Sequence, residues 1–197
     1  YEDGSALPFR NQGIAGRASY TYNNKYVGEF NFGYNGSENF AKGHRFGFFP
    51  SVAVGWLLSE EAFMEPYRNT FSKIKLRASY GLVGNDQLGQ NRGDYRFAYL
   101  TTIGDTGGYT WGVDNDYWRA GRWEGQVGVQ NLTWEKVKKA NIGLELGLWN
   151  SIELQVDGFK DHRYDIFMQR RTIPSSAGFI QTPFANYGKV DNHGIDI

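Results

Sequence analysis

Lys73-Ile74-Lys75-Leu76-Arg77-Ala78-Ser79-Tyr80-Gly81-Leu82-Val83-Gly84 is the stretch that decides the fold. Ile74, Leu76, Ala78, Tyr80 and Leu82 alternate with Lys75, Arg77, Ser79, Gly81 and Val83. A period of two sends consecutive side chains to opposite faces of a strand. One face is apolar here, and the other is small, wet and partly charged. Alternation alone also suits a soluble sandwich, so the breaks between strands carry the rest of the reading.

Similar segments lie on both sides. Strand 14–23 sets Ala18, Tyr20 and Tyr22 against Arg17, Ser19 and Thr21, and a tight turn at Asn23-Asn24-Lys25 follows. The next strand sets Tyr26, Phe30, Phe32 and Tyr34 against Glu29, Asn31, Gly33 and Asn35. A turn centred on Asn24 puts Ala18 opposite Phe30 and Ser19 opposite Glu29, so the apolar faces agree. Val52, Val54, Trp56 and Leu58 form the apolar parity of a third strand. The link 59–72 opens Ser59-Glu60-Glu61-Ala62-Phe63, the pattern of a capped helical turn. Beyond 73–84 the segment 85–131 reads as irregular. Ile142, Leu144, Leu146 and Leu148 then face Ile152, Leu154 and Val156 across a tight turn at Trp149-Asn150-Ser151, pairing Leu146 with Leu154 and Leu144 with Val156. The stretch 133–139 is charged on both parities and is expected to project beyond a bilayer. A last strand begins near Tyr187.

The breaks run short (23–25), medium (36–45), medium (59–72), very long (85–131), short (149–151) and long (162–186). Breaks 23–25, 59–72 and 149–151 fall on one side and the other three on the opposite side. Short periplasmic turns and long external loops characterise outer-membrane barrels. The pattern predicts an all-β, antiparallel up-and-down transmembrane β-barrel, present as a partial barrel of about seven strands.

Composition agrees. Glycine is abundant at 26 residues and aromatics make up 17 %, against only 5 prolines, which suits strands with one small and one broad face. Lys plus Arg and Asp plus Glu are 21 each, so there is no basic surface for nucleic acid. The absence of cysteine removes disulfides and thiolate chemistry. The longest nearly apolar run, 46–58, is about 13 residues and holds Pro50 and Ser51, short of the ~20 that a spanning helix needs. A mean hydropathy of −0.56 is compatible with a barrel, whose strands devote half their residues to a polar interior. No targeting pattern opens the chain at Tyr1, and it stops inside a strand at Ile197, so a piece of a longer protein is expected.

The residues resemble a family. Phe49-Pro50-Ser51-Val52-Ala53-Val54-Gly55-Trp56, Leu76-Arg77-Ala78-Ser79-Tyr80-Gly81-Leu82-Val83-Gly84-Asn85, Leu132-Thr133-Trp134-Glu135-Lys136, Asn141-Ile142-Gly143-Leu144 and Asn186-Tyr187-Gly188-Lys189-Val190-Asp191-Asn192-His193-Gly194-Ile195 are similar, in order and spacing, to segments of SusC/RagA-type TonB-dependent outer-membrane transporters. The resemblance implies a roughly 22-stranded barrel, an N-terminal plug, and import of oligosaccharides or peptides. It also implies a SusD-like surface lipoprotein as lid, outer-membrane lipid around the wall, and energy from TonB acting through an N-terminal box. Residues 1–197 are then a segment of the receptor's barrel domain, located in the outer membrane of a Gram-negative bacterium, with plug and TonB box absent. About seven strands cannot close such a barrel. Where the family often shows a Ser-Ser-Arg-Phe-like run, this chain has Ser37-Glu38-Asn39-Phe40, so that loop is expected to differ in what it contacts.

Tyr109, Trp111, Tyr117, Trp118 and Trp123 cluster in the very long break. Their ring faces suit stacking on sugars, and they are the candidate ligand-binding residues, against the alternative that so long a loop needs a small core of its own. Asp114-Asn115-Asp116 starts like a calcium loop but lacks its glycine and bidentate glutamate. His44, His162 and His193 have no second ligand at metal spacing. No metal or cofactor is expected. Arg17, Glu29, Lys75, Arg77, Glu145, Glu153 and Asp157 take the interior parity, either lining a path or pairing with one another. Tyr22, Tyr26, Trp56 and Trp149 fall at turn ends, where amphipathic rings belong at a lipid interface. No nucleophile elbow, phosphate loop or dinucleotide fingerprint occurs, so no enzyme is expected.

A secreted soluble β-sandwich carbohydrate-binding module is the alternative. It requires its apolar face to be covered by a second layer, whereas a barrel wall requires that face to be bare. A pore or adhesin barrel without TonB coupling shares every local feature.

Overall fold

The computed structural model describes residues 8–89, 95–179 and 181–197. Its strands are β1 (Asn11–Tyr22), β2 (Tyr26–Ser37), β3 (Phe46–Leu57), β4 (Phe71–Asn85), β5 (Ile103–Trp111), β6 (Tyr117–Glu124), β7 (Glu135–Leu148), β8 (Ile152–Gln169) and β9 (Phe184–Asp196). β1, β2, β3, β4, β7, β8 and β9 form one antiparallel sheet in that order, and β5 pairs with β6 in a second.

Two tight hairpins fix the local register. Asn23 and Asn24, then Trp149 and Asn150, take left-handed backbone angles in succession, as the turns matching strand twist require. Ala18 consequently pairs with Phe30 and Ser19 with Glu29. Leu146 pairs with Leu154 and Leu144 with Val156, as the alternation predicts. The link after β3 differs from expectation in detail. It is made of two 3-10 turns, Leu58–Glu60 and Ala62–Tyr67, and no side chain caps either one.

The expected partial transmembrane barrel is corrected. β1 and β9 lie at opposite edges of an open sheet, and no ladder joins them. The segment 85–131 is not wholly irregular either, since it supplies β5 and β6. A register shift between Thr106 and Tyr109, at Gly107-Gly108, interrupts the alternation that would have revealed this ribbon. The described residues are therefore an all-β, two-sheet structure without closure. No helix among them is long and apolar enough to cross a membrane.

One parity of the large sheet is apolar and uncovered. Tyr22, Tyr26, Trp56, Leu76, Leu144 and Val156 make one continuous row across it. Val54, Ile142 and Ile195 are 61 %, 69 % and 72 % exposed, so no described segment packs on this face. The apolar band runs obliquely to the strands. On β3 it spans Phe46 to Trp56, while on β7 it begins at Ala140, level with Val52, and continues past the Trp56 row to Leu146 and Leu148.

The compact core lies elsewhere, beneath the long breaks. Phe40 and Leu132 are fully buried, joined by Leu88, Ala98 and Trp134, with Phe49 and Phe167 packed against them. The Trp134 ring lies 5.2 Å from the rings of both Phe40 and Phe49. Its indole N–H donates to the Arg45 carbonyl at 3.1 Å, and the Arg45 Nε donates to the Phe40 carbonyl at 3.2 Å. Asn186 clamps the start of β7 from β9. Its Oδ1 accepts from the Thr133 N–H at 3.1 Å, and its Nδ2 donates to the carbonyls of Thr133 and Asp165 at 3.0 and 2.8 Å.

Emptying this core should loosen the loop end without disturbing the strands. Phe40→Ala is expected to cost about 3–5 kcal/mol locally. Hydrogen exchange in the intact protein should show deprotection of 37–45 and 132–134, with the β1–β2 hairpin unchanged. Unchanged protection of 37–45 would deny Phe40 its central place.

Candidate ligand-binding surface

The β5–β6 ribbon is anchored at its base and exposed toward its tip. Thr102 donates its N–H to the Gln126 carbonyl and accepts from the Gly125 N–H, both at 2.9 Å. Val129 donates to the carbonyl of the core residue Ala98 at 2.9 Å. At the tip, Gly112 and Asn115 take positive φ, which closes the turn between the strands.

Pairing sorts the five predicted aromatics. Trp111 lies directly opposite Tyr117, and Tyr109 opposite Arg119. Tyr109 and Trp111 have ring centroids 6.2 Å apart, tilted by 41°. The Arg119 guanidinium lies 4.4 Å from the Tyr117 ring centre and bonds its hydroxyl. Tyr109, Trp111, Tyr117 and Arg119 thus make one platform. Trp118 pairs with Thr110 on the other parity, and Trp123 sits by the base opposite Gly104. Tyr109 and Trp111 are 74 % and 61 % exposed, so these rings are not the loop's own core. That work falls to Phe40, Leu88, Ala98, Leu132 and Trp134. Arg119 went unnoticed in the sequence, though its spacing of two from Tyr117 on a strand was the available signal.

The other singled-out residues have simpler places. Asp114 and Asp116 flank the ribbon's tip turn, and no group of three metal-ligating side chains occurs among the described residues. His162 Nδ1 lies 2.6 Å from Asp191 Oδ1. Glu38, in the run that departs from the family pattern, pairs with Arg96 at 2.5 Å, and the Asn39 amide donates to the Asp86 carbonyl at 3.0 Å.

The polar face of the large sheet carries paired charge. Arg17 meets Glu29 at 2.5 Å, and Asn31 donates to the same carboxylate at 2.7 Å. Glu145 accepts Lys73 at 2.8 Å and Lys75 at 3.1 Å, with the Arg77 Nε at 3.7 Å. Arg77 reaches over Gly143 to Asp157 at 2.5 Å, and Gln155 donates to that carboxylate at 2.9 Å.

At the tight-turn end, Glu61 ties the β3–β4 link to the first hairpin. It accepts from the Tyr26 hydroxyl at 2.7 Å, the Trp56 indole N–H at 3.1 Å and the Lys25 ammonium at 3.3 Å. Two of the predicted interface aromatics therefore also have a polar anchor. The hydrogen bond from Tyr26 first, then those from Trp56 and Lys25, hold the Glu61 carboxyl below the usual carboxylate range, while burial works the other way.

The chain belongs to the family described as TonB dependent receptor-like, beta-barrel, whose profile matches residues 4–197. It is 31 % identical over 183 residues to the TonB-dependent receptor SusC of Bacteroides thetaiotaomicron, covering 92 % of this chain and 17 % of that protein. It is 30 % identical over 188 residues to the TonB-dependent receptor P3 of Formosa agariphila, covering 93 % of this chain and 17 % of the other. Among solved structures, the RagAB peptide importer in its closed-closed state superposes with a TM-score of 0.77 at 22 % identity, over 95 % of this chain and 19 % of that one. The RagAB peptide transporter superposes with 0.75, also at 22 % identity, over 94 % and 19 %. The chain thus spans about one-sixth of the length of these curated relatives, 17 % in each. The family and its relatives are receptors and transporters by name.

A depressed carboxyl pKa stabilises above the ordinary Glu value and loses that contribution as pH falls through the folded one. Acidification through the carboxylate range should therefore raise hydrogen exchange at 58–70 in the intact protein, after correction for intrinsic rates. Glu61→Gln should remove the dependence; an identical pH profile in the variant would assign it to another group.

Proposed function

We propose that this chain is part of a TonB-dependent transporter in the outer membrane of a Gram-negative bacterium, one that imports oligosaccharides or peptides. The observation that carries this reading is the bare apolar face of the large sheet. Exposed apolar area of this extent is unfavourable in water at about 25 cal/mol per Å² and favourable against lipid. Tyr22, Tyr26 and Trp56 at the tight-turn end suit a lipid interface. The opposite parity, with its paired carboxylates and cations, suits a wet interior.

On this reading the long breaks face outward, and the ribbon platform of Tyr109, Trp111 and Tyr117 contacts ligand or the SusD-like lipoprotein above it. Trp118 offers its ring from the other side, and Trp123 supports the base. TonB acts through parts of the protein outside this chain. The secreted sandwich is disfavoured because nothing described covers the apolar face.

Spin labels placed singly at Leu76, Ala78, Leu144 and Leu146 of the intact protein in membranes should report high oxygen accessibility. Labels at Ala53, Ser79, Asn141 and Gln155 should report low values. Shielding of the first set from both oxygen and water would mark a packed protein layer and end the membrane reading. For the ribbon, simultaneous Tyr109→Ala, Trp111→Ala and Tyr117→Ala changes should lower retention of a mixed peptide or a mixed oligosaccharide library by about tenfold, as loss of about 1.4 kcal/mol of ring contact implies. Trp118→Ala should do less. Full retention of both libraries by the triple variant would remove the ribbon from ligand capture.

A further inference from the structure

The apolar parity of β7, β8 and β9 ends in basic side chains, with the Tyr164 ring among them. Beyond Ala140 come Lys138 and Lys136, beyond Gly158 comes Lys160, and beyond Ile195 comes His193. Register sets Lys138 beside His162 and Lys160 beside His193, so these groups form a contiguous patch. Two carboxylates share it, and each is engaged. Asp165 pairs with Lys136 at 3.7 Å, and Asp191 with His162 at 2.6 Å. Lys138 lies 5.4 Å from the Tyr164 ring centre and makes no ion pair among the described residues, nor does Lys160.

Directly below the patch lies an apolar groove lined by Ala140, Ile142, Gly158, Lys160, His193 and Ile195. Gly158 creates it by omission. A Cβ there would meet nothing closer than the Ile142 carbonyl oxygen at 3.9 Å, so the backbone does not demand glycine. The missing side chain leaves a notch between two exposed isoleucines.

We infer that this notch and patch bind a phosphate-bearing lipid of the leaflet on the long-loop side, its acyl chain over Gly158 and its phosphate on Lys138 and Lys160. The inference rests on the lipid-facing reading of this face. Charge complementarity selects the occupant: lysine stems lie along apolar surface while their ammonium groups reach the headgroup layer, where anionic lipid attracts them. A soluble anion would satisfy the lysines but leave the groove empty.

Native mass spectrometry of the intact protein released from nanodiscs tests this, with phosphatidylglycerol and phosphatidylcholine as probes. The wild type should retain phosphatidylglycerol in preference, and millimolar inorganic phosphate should not displace it. Lys138→Gln with Lys160→Gln should lower retention by about thirtyfold, on the scale expected for two surface lysines. Gly158→Leu should also lower it by filling the groove, whereas Lys42→Gln in a distant loop should change nothing. Equal retention of both lipids, displacement by phosphate, or wild-type retention by either patch variant would overturn the inference. High oxygen accessibility at Leu144 and Leu146 alongside such a result would leave the membrane reading standing and sink the lipid site alone.

Discussion

The pairing of β4 with β7 is the constraint on which the rest of the sheet depends. The tight turns set the register of β1 with β2 and of β7 with β8, but the whole 86–134 segment separates β4 from β7, so no turn sets theirs. Side chains must choose it, and a slip of one residue would exchange the two faces of every strand beyond. Two features oppose the slip. Lys75 stands opposite Glu145, and Arg77 stands opposite Gly143, over which it reaches Asp157. Any Cβ at position 143 would collide with both Arg77 and Asp157, so glycine is what allows the three-strand contact. Partly exposed ion pairs of this kind contribute only ~0–1 kcal/mol each. A one-residue slip would turn Ile74, Leu76, Ala78 and Leu82 to the polar face and Lys75 and Arg77 to the apolar one. The apolar face therefore dominates the choice, and the charges refine it.

The legibility of the fold followed the physics of each part. The hairpins were readable because period two and consecutive left-handed residues at Asn23-Asn24 and Trp149-Asn150 are local signals. The ribbon was not, because the shift at Gly107-Gly108 breaks its alternation. The core escaped for a different reason. Phe40 comes from the link between β2 and β3, while Leu88, Ala98, Leu132 and Trp134 are spread along the long segment between β4 and β7, and only the assembled fold brings them together. A partial transmembrane barrel was expected from the rhythm of short and long breaks. That rhythm records how consecutive strands alternate, and it says nothing of whether first and last strands meet. Within the site, the sequence grouped five rings that pairing then divided, and it passed over Arg119.

Stability has an unusual distribution as a result. A globular domain draws most of its free energy from a buried core, yet here the largest apolar surface is bare and the core is a small cluster at one end. What that cluster stabilises is position. Ala98 bonds Val129 at the base of the ribbon, while Trp134 ties the approach to β7 to Arg45 before β3, and Asn186 ties the start of β9 to Thr133 before β7. The ribbon thereby projects from a packed base while its tip remains open to solvent.

The aromatic residues show how context, more than residue type, assigns a role. Tyr26 and Trp56 lie on the bare face at the tight-turn end, and each turns its polar atom to Glu61. One carboxylate thereby holds the ring pair and the β3–β4 link in a fixed relation to the strand ends. Tyr109 and Trp111 have the same chemistry but stand on a two-stranded ribbon with no layer behind them and, among the described residues, no carboxylate to anchor them. A two-stranded ribbon is marginally stable by itself, so its order comes from the base at Thr102 and Ala98. Rings on such an element can adjust to a contact without disturbing the large sheet, whereas rings clamped by Glu61 cannot move without moving the strands.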